Sequence, residues 1–283
     1  MTTDGVALFR SYRAPVRELW PHLTRPELLA RWLGAAEIEL SPGGIARFEA
    51  WNGDQMTGAV AGTSPPGWIE FSWRRFAFGD EEPVTWRLEA DGPGSRVVVE
   101  HDRLAGPEEK SYGRRLWREA LEALRECVDR LEPNPEWGAT IPVVARVPLG
   151  RPASELWPLF TTASGLSKWI ARVEKFDAAP GGEFRFLSRY QGREVVEEGR
   201  IEEIAPERKL RLTWEWRGES WGSPTSVEFT LEPRAGGTSL LLVHSGFEQI
   251  APGKAHAARR NYATGWAGVV RDLVRLLAPA PVR

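Results

Sequence analysis

Residues 153–170 read ASELWPLFTTASGLSKWI, and residues 16–33 read VRELWPHLTRPELLARWL. Glu-Leu-Trp-Pro occupies 18–21 and again 155–158, and a tryptophan follows each time, at Trp32 and Trp169. The correspondence extends outward from there. Pro42-Gly43-Gly44 answers Pro180-Gly181-Gly182, Trp73 answers Trp214, His101 answers His244, and Trp117 answers Trp266. The order never changes while insertions accumulate in the second copy. A repeat of roughly 140 residues is a duplicated domain, because solenoid and propeller units recur every ~20–50 residues. Two domains are expected, 1–134 and 138–283, parted by the polar, proline-rich stretch Glu132-Pro133-Asn134-Pro135-Glu136.

Each copy carries the same succession of patterns. Thr140 to Leu149 is β-branched and apolar and reads as the opening strand of the second copy, and Pro152, like Pro15, stands where a helix begins. Thr24-Arg25-Pro26-Glu27 has the spacing of a capping box and predicts a short second helix carrying Leu28, Leu29 and Trp32. The second copy has Ser164 in place of Glu27 and a weaker signal there. Pro21 and Pro158 fall inside the first helical pattern and predict a kink or break, since proline removes a backbone donor. Past the paired glycines the period becomes two. Phe184, Phe186 and Ser188 share one face, as do Leu210, Leu212, Trp214 and Trp216, then Val227, Phe229 and Leu231, then Leu240 and Leu242. The first copy matches with Ile69, Phe71, Trp73; Val84, Trp86, Leu88; and Val97, Val99. Each copy closes with helical periodicity, through Trp117, Leu121, Leu124, Val128 and Leu131 in one and Tyr262, Trp266, Val269, Val270, Leu273 and Leu277 in the other. A long helix with a single apolar stripe has to pack on the sheet. The fold class is therefore α+β, an antiparallel sheet curved around one C-terminal helix, with two short helices after the first strand.

The composition, 42% hydrophobic and 27% charged, is that of a soluble globular protein. Fourteen tryptophans are more than such a protein needs, and rings this wide either fill the space between layers or line an apolar cavity. The single Cys127 excludes an intramolecular disulfide, and Met1-Thr2-Thr3-Asp4 has neither a basic nor an apolar leader character. No apolar run approaches the ~18 residues of a membrane span. The expected compartment is the cytoplasm. Only five of the 37 basic residues are lysine, the bias of a GC-rich bacterial genome. Residues 1–136 carry 17 basic and 23 acidic groups and residues 137–283 carry 20 and 16, opposite fields that favour docking of the domains but are screened by salt. Neither half has the basic stripe of a nucleic-acid binder.

The stretches ASELWPLFTTASGLSKWI, PGGEFRF, IEEIAPERKLRLTWEW and SVEFTLEPRAGGTSLLLVHSGF, with a tryptophan in the last helix, resemble the bacterial homologues of the heat-shock protein 90 ATPase activator, C-terminal domain type. That family belongs to the START-like (SRPBCC) helix-grip superfamily. The resemblance runs from Pro152 to Leu277 and from Pro15 to Leu131, departing in the first copy at HDRLAGPEEKSYGRR. It implies two tandem helix-grip domains, each with a cavity between sheet and helix. It also implies a range of functions: relatives bind lipids or other apolar molecules, catalyse cyclisation or dehydration of polyketides, or stimulate the chaperone.

Inward parity nominates Trp214, Trp216, Phe229, Leu242, His244 and Trp266 as the lining of the second cavity, and Trp73, Trp86, Val99, His101 and Trp117 as that of the first. His101 and His244 either orient a ligand and exchange protons or are core histidines satisfied by their surroundings. Glu197 shares parity with Gly199 and Ile201, and an inward carboxyl there would have a raised pKa, unless a one-residue bulge turns it to solvent; Met56 takes its place in the first copy. Arg75 stands where the second copy has Trp216, and an inward arginine must be paired. Gly218-Glu219-Ser220-Trp221-Gly222 has the form of a nucleophile elbow, but strand-like sequence follows it and a hairpin loop is the better reading. Gly92-Pro93-Gly94 and Gly236-Gly237 read as turns between strands, not phosphate loops. Four scattered histidines and one cysteine give no metal-ligand spacing, and no cofactor is expected. The leading reading is a module that binds a small apolar or aromatic molecule. One alternative is a regulator contacting heat-shock protein 90 or another protein partner; the other is a cyclase, dehydratase or hydrolase using His244 with Glu197 as a second acid or base.

Overall fold

The computed structural model describes residues 4–131, 134, 136–190, 192–219, 221 and 223–278. The chain divides into two compact units, Met1–Ile141 and Pro142–Arg283. The first unit contains β1 (Val6–Tyr12), α1 (Val16–Thr24), α2 (Pro26–Leu29), β2 (Gly34–Ile38), β3 (Ile45–Ala50), β4 (Gln55–Ser64), β5 (Trp68–Arg75), β6 (Glu82–Asp91), β7 (Gly94–His101) and α3 (Pro107–Val128). The second repeats it as β8 (Val143–Pro148), α4 (Ala153–Thr161), α5 (Ala163–Leu166), β9 (Arg172–Phe176), β10 (Glu183–Tyr190), β11 (Arg193–Ala205), β12 (Lys209–Trp216), β13 (Thr225–Arg234), β14 (Gly237–Ser245) and α6 (Ala255–Leu277). Each unit has one antiparallel seven-stranded sheet, in the orders β1-β7-β6-β5-β4-β3-β2 and β8-β14-β13-β12-β11-β10-β9. The first strand of each unit thus pairs with the last and closes the order around the long helix. Among the described residues no helix is long and apolar enough to cross a membrane.

The duplicated motifs make the same contacts twice. The indole N–H of Trp32 donates to the carbonyl of His22 at 2.9 Å, and that of Trp169 donates to Leu159 at 2.9 Å, so each tryptophan ties the short helices together. The Pro-Gly-Gly turns need both glycines. Gly43 and Gly181 have φ of 81° and 80°, a region that β-carbons disfavour. A β-carbon on Gly44 would lie 2.4 Å from the Glu39 carbonyl oxygen, and one on Gly182 would lie 2.1 Å from that of Asp177. The alternating strand residues bury as a face: Leu210, Leu212, Trp214, Val227, Phe229 and Leu231 in one unit, Ile69, Phe71, Trp73, Val84, Trp86 and Leu88 in the other.

Several local expectations are corrected. α1 and α4 run through Pro21 and Pro158 without a break and end three residues later. The Thr24 capping box does not form, because α2 starts at Pro26 and Arg25 takes the cap position; the Thr24 hydroxyl donates to the Trp20 carbonyl (3.0 Å). The cap appears instead in the second copy, where Thr162 Oγ1 accepts from the Gly165 N–H at 3.0 Å. Trp32 lies in the turn after α2, the opening strand of the second unit starts at Val143, and α3 stops at Val128 with Leu131 exposed beyond it. Residues 138–141, expected in the second domain, belong with the first unit. Glu119 accepts from the Gly138 N–H (2.7 Å) and Arg115 donates to Thr140 Oγ1 (2.8 Å). Within the segment between the domains, Glu132, Pro133 and Pro135 lie outside the described residues.

Candidate functional site

Three strands and one helix of the second unit surround a cavity of about 410 Å³. Its apolar wall is Trp214 and Trp216 from β12 and Tyr262 and Trp266 from α6. Its polar groups are Ser188 from β10, Glu197 from β11 and Asn261 from α6, with Arg189 and Asp272 exposed at the rim. A volume in the range of ~300–1,000 Å³ suits a small organic molecule. Trp216 also borders a second, wider depression of about 610 Å³, whose other walls include Arg193, Arg217, Glu219 and Lys254.

Glu197 reaches this cavity because β11 pairs Glu197 with Phe186 of β10 and Trp216 of β12. A register shift does occur in β11, but between Ile201 and Glu203, beyond the residue it would have turned outward. The side chains of Ser188 and Trp216 lie beside the carboxylate and act to lower its pKa. Burial outweighs them and pushes the pKa up to about 7. Close by, burial and the Glu197 charge together hold the Tyr262 phenol well above its ordinary range.

The other nominated residues lie deeper. Trp214, Trp216 and Trp266 line the cavity, whereas Phe229, Leu242 and His244 are sealed beneath it. Phe229 packs on Trp266, Trp169 and Phe160. His244 Nδ1 accepts from Trp266 Nε1 (2.9 Å), which leaves its proton on Nε2, donated to Thr225 Oγ1 at 2.7 Å. Thr225 passes its own proton to the Trp214 carbonyl at 2.8 Å. Burial first and the Arg259 charge second push the His244 pKa down to about 3, so the ring is neutral at physiological pH. His244 is a scaffold for the two tryptophans of the cavity wall.

In the first unit the equivalent positions are packed. Trp73, Trp86, Val99, His101 and Trp117 are all at most 2 % exposed. Trp73 stacks on Trp117 (centroids 5.4 Å apart, planes 6° apart), and Trp86 meets Trp117 edge-on. His101 accepts from Trp117 Nε1 at Nδ1 (3.1 Å) and donates from Nε2 to Glu82 Oε2 (2.9 Å), so the Trp73 indole N–H 3.3 Å from Nε2 finds no lone pair there. Arg75 points inward and is paired with Glu82 and Glu109. Burial acts to raise the Glu82 carboxyl, but the Arg75 guanidinium and the His101 bond bring it down to about 2. Comparison along α3 and α6, anchored on Trp117 and Trp266, shows what closes one unit and opens the other. Where the first copy has Tyr112 and the buried Leu116, the second has Asn261 and Gly265. A β-carbon on Gly265 would meet nothing within 4 Å.

Sequence reasoning places Tyr262 only in an apolar stripe and passes over Gly265. A glycine inside a long helix costs about 1 kcal/mol against alanine, and that cost was the available signal. The Gly-x-Ser-x-Gly stretch falls between β12 and β13, so a strand follows it where a nucleophile elbow requires a helix. Ser220 and Gly222 lie outside the described residues. Among the described residues no group of His, Cys, Asp and Glu is arranged to hold a metal ion.

Comparison with known proteins agrees with the fold. DynU16, a protein of the dynemicin biosynthetic locus, superposes with a TM-score of 0.78 at 20% identity over 98% of this chain and 100% of its own. CalU16 from Micromonospora echinospora matches at 25% identity over 44% of this chain and 75% of its own, TM-score 0.39. CV1439 from Chromobacterium violaceum matches at 23% over 49% and 98%, TM-score 0.42. No curated protein matches. The family model described as Activator of Hsp90 ATPase homolog 1-like protein matches residues 13–129 and again 151–278. With both copies of the helix-grip fold covered by that model, the chain belongs to the Activator of Hsp90 ATPase homolog 1-like family as a tandem duplication.

Proposed function

We propose that this protein is a cytoplasmic binding module whose second domain takes up a small, largely aromatic molecule, while its first domain is a packed scaffold. The observation that carries this reading is the cavity of about 410 Å³ walled by Trp214, Trp216, Tyr262 and Trp266, set against the tightly packed equivalent in the first copy. Duplicated domains diverge under different demands. The first copy carries Tyr112 and Leu116 on this helix face, and the second carries the smaller Asn261 and Gly265. The indole N–H of Trp214 is buried without an acceptor among the described residues, so a bound molecule with an oxygen or nitrogen at that wall would satisfy it.

Binding rather than catalysis is favoured by the electrostatics. An acid and a base paired in the cavity would mark an enzyme of the His244–Glu197 type. Glu197 is one such group, but His244 is sealed and neutral, and Tyr262 holds its proton far above neutral pH. Stimulation of a heat-shock protein 90 ATPase would require a surface for that partner and no cavity at all. Mass spectrometry of small molecules released from the purified full chain on denaturation tests the proposal. One aromatic compound recovered near 1:1, and lost from a Trp214→Ala chain, is the expected result. Equal recovery from both chains refutes the assignment.

A further inference from the structure

The two copies solve the same electrostatic problem in opposite ways. Strand register pairs Met56 with Arg75 in the first unit and Glu197 with Trp216 in the second, at corresponding rungs. In the first copy the guanidinium of Arg75 lies 4.8 Å over the ring of Tyr112, donates from Nε to Glu82 at 3.2 Å and from Nη2 to Glu109 at 3.2 Å. That domain holds a cation of its own under the long helix, against an aromatic face and between carboxylates. In the second copy Trp216 stands in place of the arginine, and the carboxylate of Glu197 lies across the rung where the first copy has Met56. Ser188 and Trp216 lie beside Glu197, and among the described residues no cation pairs with it. Four aromatic rings share its cavity. A half-buried carboxylate lacking a counter-charge, beside ring faces that attract positive charge, is suited to receive a cation.

We propose that the second cavity binds an organic cation, an ammonium- or amidinium-bearing aromatic molecule whose charged group sits on Glu197 against the rings of Trp216 and Tyr262. This deepens the small-molecule reading above and rests on it. The groups facing Glu197 are Ser188 from β10, Trp216 from β12 and Tyr262 from α6; at the rim, Arg189 is exposed and Asp272 lies 3.6 Å from Arg271 and 3.9 Å from Arg275. Since Tyr262 keeps its proton, Glu197 is the group among these that changes charge near neutrality. An empty cavity carries a partly protonated carboxyl, and an arriving cation favours the carboxylate.

Benzyltrimethylammonium, whose charge does not titrate, and neopentylbenzene, its neutral carbon isostere, separate the two levels of the proposal. Each is titrated into the full chain by calorimetry at pH 8.0 and 5.5, with the natural sequence and with Glu197→Gln. At pH 8.0 the ammonium compound binds at least ~10-fold tighter than the isostere, as an added buried ion pair would give. Its affinity falls toward that of the isostere by pH 5.5, with about 30-fold as the ceiling set by ionising a carboxylate of pKa about 7. The isostere ignores pH, and Glu197→Gln removes both the preference and the pH dependence. The pH series needs no variant, so the test survives a misfolded substitution. If the isostere binds as tightly as the ammonium compound, or the preference persists in Glu197→Gln, the cation assignment fails while the cavity reading stands. If neither compound binds the folded chain, both fail.

Discussion

Replacing Glu197 by glutamine should stabilise the second unit, and by an amount that depends on pH. An acid whose pKa is raised on folding holds its proton more tightly in the folded chain. Its contribution is fully present below the unfolded value of 4.5 and is lost as pH climbs through about 7. A tenfold change in an acid's ionisation constant corresponds to about 1.4 kcal/mol. The rise from 4.5 to about 7 therefore sets an upper limit near ~3 kcal/mol, and screening at the open cavity wall trims it to about 2 kcal/mol. Glutamine keeps an oxygen beside Ser188 and Trp216 but carries no charge. The variant should melt roughly 5–10 °C higher than the natural chain at pH 8.5, with the difference vanishing near pH 4.5. Differential scanning calorimetry across that range, following the transition that moves, is the assay. An unchanged or lower melting temperature at pH 8.5 would refute the argument that an uncompensated carboxyl is held there partly out of water.

Other consequences follow from the same geometry. Trp117→Ala should destabilise the first unit by about 3–5 kcal/mol in urea unfolding, because the ring is fully buried, and a change below about 1 kcal/mol would mean it is not part of the core. Arg75→Met should cost about 3–5 kcal/mol at pH 7 by leaving Glu82 and Glu109 buried without their cation. The stabilising carboxylate form of Glu82 is present above pH 4.5 and lost as pH falls through about 2, so the natural and variant chains should converge in acid. His244, whose pKa is depressed from 6.5 to about 3, contributes stability above pH 6.5 that is lost as pH falls through 3. His244→Gln should therefore flatten the acid limb of the second unit's stability curve; an unaltered limb would contradict a sealed, neutral ring.

Strand parity was legible in the sequence and carried far, since period-two alternation alone put Trp214, Trp216 and Glu197 on the face that meets the helix. Depth was not. Phe229, Leu242 and His244 share the inward parity yet lie under the cavity floor, because the distance between sheet and helix depends on side chains from both. The cavity itself is written in what is missing, Gly265 where the first copy has Leu116, and an apolar stripe does not register an absence. The helix cap falls one residue later than the spacing predicts: Arg25 takes it in the first copy, and Thr162 holds it in the second, donating to the Pro158 carbonyl while accepting from the Gly165 N–H.

The proposed function rests on an open cavity in the second unit whose counterpart in the first is packed, and Gly265→Leu tests that contrast most directly. The substitution puts the first copy's side chain into the second copy's space. It meets no atom within 4 Å at its β-carbon and improves helix propensity, so the fold is retained. Titration of the full chain with the neutral apolar fluorophore N-phenyl-1-naphthylamine should show one site, weakened at least ~10-fold by Gly265→Leu, as loss of a well-filled aromatic pocket would cost, with no fall in melting temperature. Undiminished binding by a folded Gly265→Leu chain would contradict the account.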